Sequence, residues 1–132
     1  MPTPDVAKLA REYLALIDAS NSVVCAANAR MAAAPNDLTV FTSAYKEFAA
    51  KDRSLADSLR ARTFPEPIQA HVDQMIVNLA ATGAAYVAVA ASTSWAEVDA
   101  HLPRAMDANA DAVASSNLLR GDFGLPSVAG SC

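Results

Sequence analysis

Apolar residues recur in alternating steps of three and four along almost the whole chain, in four blocks separated by turn chemistry. Such spacing places them on one face of an α-helix, and no stretch shows the sustained period-two alternation of a strand. The first block carries Val6, Leu9, Tyr13, Leu16, Ser20, Val23 and Ala27 and fades by Ala34. Thr3 is its expected N-cap, Pro4 suits the first turn, and Asp5 suits the positive end of the helix. Pro35-Asn36-Asp37 then breaks the pattern, with Asn36 or Asp37 as the next cap.

The second block presents Leu38, Phe41, Tyr45, Phe48, Asp52, Leu55, Leu59 and Arg62. Phe64-Pro65-Glu66-Pro67 stops it, because a proline pushes the preceding residue out of the helical region. The third starts near Pro67 and runs Ile68, Val72, Met75, Leu79, Thr82, Tyr86, Val89 and Thr93. Ser94-Trp95-Ala96-Glu97 has the spacing of a capping box and opens the fourth. That block presents Val98, Leu102, Met106, Asn109, Val113 and Leu119, with Pro103 expected to kink it or divide it after His101. Gly121 is the expected residue just past its end. The predicted helices are therefore 4–33, 37–62, 67–93 and 95–119. Phe123, Leu125 and Val128 of the tail, residues 121–132, are expected to pack on them. Short connections make neighbours antiparallel, so the fold class is all-α: an up-down antiparallel four-helix bundle forming one domain over 1–132.

Composition sharpens this picture. A chain of 132 residues with 53% hydrophobic and 18% charged residues suits one globular domain and excludes a disordered or collagen-like chain. Alanine supplies about a quarter of the residues, which favours helices packed closely through small side chains. A net charge of −4 disfavours nucleic acid and anionic membranes as partners. Met75 to Thr93 is about as long as the shortest membrane spans. It contains Asn78, Thr82 and Gly83 and lacks a flanking basic cluster, so a core helix rather than a transmembrane segment is expected.

Catalytic signatures are missing from the pattern, and a non-enzymatic role with no cofactor is expected. With only four glutamates and no Glu-x-x-His, the chain lacks the ligand set of a di-iron bundle. Glu97 and His101 share a helix face but lack the third ligand a catalytic zinc needs. His71 and His101 have no haem attachment motif beside them, and His71 reads as a boundary histidine next to Val72. No Gly-x-Ser-x-Gly elbow, phosphate-binding glycine pattern or basic–aromatic run occurs.

One constellation stands out. Ser20, Asp52, Thr82 and Asn109 each fall near the middle of their helices, at one level of an up-down bundle. Three readings follow from this. The residues form a polar layer that fixes helix register, or they line a ligand pocket. In the third reading the register slips by one and Asp52 simply faces water beside Lys51 and Arg53. Similarly, Ala80-Ala81-Thr82-Gly83-Ala84-Ala85 either lets a neighbouring helix approach closely or leaves an apolar cavity near Tyr45, Phe48, Tyr86 and Met106.

Cys25 on the first helix and Cys132 at the last position suggest a staple between bundle and tail. Closing a loop of that length contributes on the order of 4–5 kcal/mol in the chain-entropy model. Such a bond implies an oxidising, extracytoplasmic location. Met1-Pro2-Thr3-Pro4 has none of the features of a signal peptide, so an exported form is expected to have lost its signal already. Cys25 lies inside a helical pattern rather than after an apolar leader, unlike a lipid-modified cysteine.

Phe64-Pro65 between two central helices, the run Leu118-Leu119-Arg120-Gly121-Asp122-Phe123-Gly124-Leu125-Pro126, and the alanine-rich, arginine-over-lysine composition resemble a loose group of small exported helical-bundle proteins and lipoproteins of actinobacteria. The resemblance implies location and fold and carries no site. Two functions are expected from these features. One is a binding or interaction module at the cell envelope with a protein partner. The other is a carrier or sensor of a small apolar ligand, with Tyr45, Phe48, Asp52, Tyr86 and Asn109 as the candidate binding residues. No motif specifies an oligomeric state.

Overall fold

The computed structural model describes residues 5–128 and 132. Within them lie four helices: α1 (Val6–Ala33), α2 (Leu38–Arg60), α3 (Ile68–Ala90) and α4 (Trp95–Asp122). Consecutive helices pack against each other, α1 on α2, α2 on α3 and α3 on α4, as their short connections require. Of the four neighbouring pairs, α1 and α4 make the loosest.

The helix starts follow local capping chemistry. Thr3 and Pro4 lie outside the described residues. Asp5 is the N-cap of α1, its carboxylate accepting from Lys8 N–H at 3.0 Å. Asp37 caps α2 through Val40 N–H at 3.1 Å. Ser94 caps α4 by accepting from Glu97 N–H at 3.2 Å. Glu97 reaches back as a capping-box acid should, but takes the N–H of Thr93 at 2.7 Å and the Thr93 hydroxyl instead of the N-cap N–H.

At the other end of α4 the expectation at Gly121 is corrected. The helix runs through Gly121 to Asp122, and Gly124, at φ +70°, is the left-handed residue that closes it. Leu125 N–H donates to Arg120 C=O at 2.7 Å and Gly124 N–H to Gly121 C=O at 3.1 Å, the paired bonds of a Schellman motif. Only the second glycine meets a positive φ, which explains where the helix ends. Pro103 does not divide α4, which is continuous across it.

The stripes of α2 and α3 are as the sequence implies, from Tyr45 to Leu59 and from Ile68 to Val89, while Thr93 is exposed. On α1 the stripe holds from Leu9 to Ala27, and Val6 is exposed. The stripe of α4 is corrected after Leu102. Ala105 and Ala112 are buried, whereas Met106 is 60% exposed and Val113 only half-buried. A large side chain at 105 or 112 would hold α3 and α4 apart. The close-approach positions are therefore alanines, and the methionine is left outside.

The core has two halves. Tyr13, Ile17, Leu55, Leu59, Met75, Leu79 and Leu119 belong to one, with Phe64 and Ile68. Ala27, Tyr45, Phe48, Tyr86, Val89, Val98 and Ala105 belong to the other. On α1, α2, α3 and α4 the positions between the halves are Ser20, Asp52, Thr82 and Asn109. The polar layer is therefore real, and it bisects the apolar core.

The tail returns along α4. Asn117 holds Val128 with both arms of its carboxamide, accepting from its N–H and donating to its C=O at 3.0 Å each. Arg120 Nη1 donates to Pro126 C=O at 3.5 Å. Cys132 is bonded to Cys25 on α1, with 5.7 Å between their Cα atoms. The tail is thus fastened to both helices that flank the loosest seam.

Candidate functional site

Asp52 is the most deeply buried acid, 1% exposed at the centre of α2. The solvated alternative is excluded: the register is correct and the carboxyl lies inside. One carboxylate oxygen meets Lys51 Nζ at 2.8 Å, while the other is buried without a hydrogen-bond partner. Lys51 leaves the backbone about 100° around the helix from Asp52, so only its flexible stem brings the ammonium back to the carboxylate. Burial pushes the Asp52 carboxyl above the ordinary carboxylate range, and Lys51 pulls against that shift. The Tyr86 phenol is also pushed up, first by burial and then by the nearby Asp52 and Tyr45.

Polar groups at and beside the layer are satisfied within and between helices. Thr82 is buried and turns its hydroxyl onto its own helix, donating to Asn78 C=O at 2.7 Å. Asn78 bridges to α4, donating to Ser115 Oγ at 2.5 Å and to Asp111 C=O at 3.2 Å. Tyr13 on α1 shares a 2.5 Å hydrogen bond with Ser116 on α4. Ser20 is buried and Asn109 half-buried.

Ser20, Asp52 and Asn109 line one cavity of about 80 Å3. Asn21, Lys51 and Ser116 add polar groups, and Val128 of the tail contributes an apolar one. Lys51 and Ser116 are not legible as parts of this site from the apolar pattern. Ser116 becomes visible only when the α4 stripe is read through Ala105 and Ala112, which puts residue 116 on the inner face. Asn21 and Val128 carry no periodic signal.

The remaining candidates, Tyr45, Phe48 and Tyr86, come together elsewhere, in the second half of the core. Tyr45 meets Phe48 and Tyr86 edge-on at centroid distances of 5.1 and 5.4 Å, and Phe48 lies 5.6 Å from Tyr86. Phe41 stacks on Tyr45 at 4.8 Å and receives Trp95 edge-on at 5.2 Å. The rings thus close on one another, and Met106, expected beside them, points outward.

Among the described residues no three of His, Cys, Asp or Glu converge as a metal would need. Glu97 is committed to Thr93, and His101 is exposed. His71 pairs its Nδ1 with Asp122 at 2.5 Å, joining the start of α3 to the end of α4.

No charged residue occurs between Asp73 and Glu97. Val77 (60%) and Val87 (52%) are exposed on α3 together with Ala80, Ala81 and Ala84. Among the described residues this is the one helix long and apolar enough to cross a membrane, although its inner face is spent on α2 and α4. In comparisons with known proteins the chain matches no protein-family model, no curated protein and no solved structure. The site's own geometry is therefore the ground for function.

Proposed function

We propose that this chain is a non-enzymatic binding module that works outside the cytoplasm, at the cell envelope, and docks a protein partner through the outer face of α3. The observation that carries this reading is the uncharged stripe Val77, Ala80, Ala81, Ala84 and Val87, exposed while the aromatic core behind it is filled. An exposed apolar stripe of this kind is the ordinary mark of a partner surface. Its small side chains, with Gly83 beside them, admit another helix at short range. The flanks favour an acidic one: Arg53 and Arg60 stand along the α2 side and Arg104 along the α4 side. Of the exposed acids on these flanks, Asp57 is paired with Arg60 at 3.0 Å, and Asp111 lies towards the end of α4 that meets Asn78. The partner this face suits is an amphipathic helix with acidic flanks, whereas a second copy would set arginines against arginines. The Cys25–Cys132 bond supports an oxidising compartment, in line with the resemblance to small exported bundles.

The test is a paired capture from the envelope of the native host. The wild type is expected to retain a partner that a Val77→Lys/Val87→Lys variant of equal thermal stability loses. Equal retention by both proteins would contradict the assignment of this face.

A further inference from the structure

Two open grooves flank the uncharged face of α3. The one on the α2 side, about 430 Å3, is lined by Ala56, Leu79, Gly83 and Val87 and bordered along α2 by Arg53, Asp57 and Arg60. The one on the α4 side, about 450 Å3, is lined by Ala81, Ala85, Ala88 and Ala108 and bordered by His101 and Arg104. Size does not separate them, but their side chains do. We infer that the partner is a helix lying in the α2 groove, with two acids seven residues apart that meet Arg53 and Arg60, an assignment that rests on the docking role of the α3 face.

The two arginines are seven residues apart, two turns of α2, so they stand on one side of that helix about 10 Å apart along its axis. The same interval returns two acids to one side of a partner helix, and both charges are met at once. Arg53 pairs with no acid among the described residues. Arg60 pairs with Asp57, but both side chains are more than half exposed. An exposed pair of that kind is worth little and yields to a better-placed carboxylate. Asp52 also touches the groove, yet it is buried against Lys51, which offsets its charge. On the α3 side the groove has no charge at all. Its rim therefore keeps an uncompensated positive charge.

Apolar content points the same way. Val87 is 52% exposed in the α2 groove, and a docked helix would remove it from water. The α4 groove offers no apolar side chain larger than alanine and a single arginine.

The probe is a stapled helical peptide of about 18 residues, five turns long, with an alanine–leucine face and two glutamates seven residues apart. It is titrated into the oxidised full chain and followed by amide NMR. A second peptide has lysines in place of the glutamates. A third has the glutamates five residues apart, which turns them about 140° from each other. Saturable shifts are expected at residues 53, 56, 60, 83 and 87, with residues 101, 104 and 108 little changed. The second and third peptides should bind about tenfold more weakly. Arg53→Glu/Arg60→Glu, at exposed positions, should weaken the first peptide about tenfold and strengthen the lysine peptide, while Arg104→Glu should change either by less than about twofold. Arg53→Ala/Arg60→Ala gives a milder loss in the same direction. Shifts centred on residues 101, 104 and 108 would overturn the choice of groove and leave the α3 face standing as a docking surface. No saturable binding, equal affinity of the three peptides, or unchanged affinity in both double variants would also overturn it. The face itself is decided separately, by the capture with Val77→Lys/Val87→Lys.

Discussion

At the scale of single residues, Asp52 sets the terms. A carboxyl enclosed between two apolar half-cores, with one oxygen on Lys51 and the other unpartnered, is costly to ionise. Its folded-state pKa lies above the unfolded value, with burial as the largest cause. The protonated form is therefore the one the fold tolerates. Its contribution to stability is fully present below the ordinary carboxylate pKa and is lost as the pH rises through the folded value. Asp52→Asn should accordingly stabilise the protein at pH 7 by about 1 kcal/mol, and the advantage should vanish as the pH falls below the carboxylate range. Denaturant unfolding of both proteins across that range checks this, and a gap that does not change with pH would contradict it. The position of Asp52 was legible from the heptad spacing alone, because Phe48 and Leu55 on either side fix the face. Its partner was not, because a lysine at the next position starts on a different face and returns only through its long stem.

At the scale of elements, α4 shows where pattern reading fails and why. The eye selects large apolar residues, and Met106 and Val113 sit at plausible spacing from Leu102. The helix instead packs through Val98, Ala105, Ala112 and Leu119, a strict seven-residue repeat whose middle members are small. Close approach, not hydrophobicity, chose that face. Ala105→Leu should cost about 1–3 kcal/mol through overpacking, whereas Met106→Lys should change stability by no more than about 0.5 kcal/mol. Thermal unfolding of the two variants separates the registers, since the stripe through Met106 predicts the reverse order. The start of the same helix was fully readable. Ser94 and Glu97 act as the capping motif requires, and Ser94→Ala should cost about 1 kcal/mol. Its end was misplaced because two glycines compete three residues apart and only the backbone angle at Gly124 decides between them.

At the scale of the whole molecule, the chain is an up-down bundle whose loosest seam is crossed by its own tail. Replacing both cysteines by serine should lower stability by up to about 4–5 kcal/mol, the chain-entropy value for so long a loop. Hydrogen exchange should show Val128 N–H, held by Asn117, losing protection before the helices do. The bundle and its staple follow from periodicity and from the place of two cysteines. The uncovered face of α3 does not: the apolar outer residues Val77 and Val87 read simply as part of a strongly apolar helix, and only the packed arrangement shows which half is left exposed. That face is the centre of the functional account. Photo-crosslinking in the native envelope tests it most directly, with a photoreactive side chain placed at Val87 and, as a control, at the exposed Asp18 on α1. The account predicts a discrete adduct with an acidic helical partner from position 87 and none from position 18. Adducts of equal yield from both positions, or none from position 87, would contradict it.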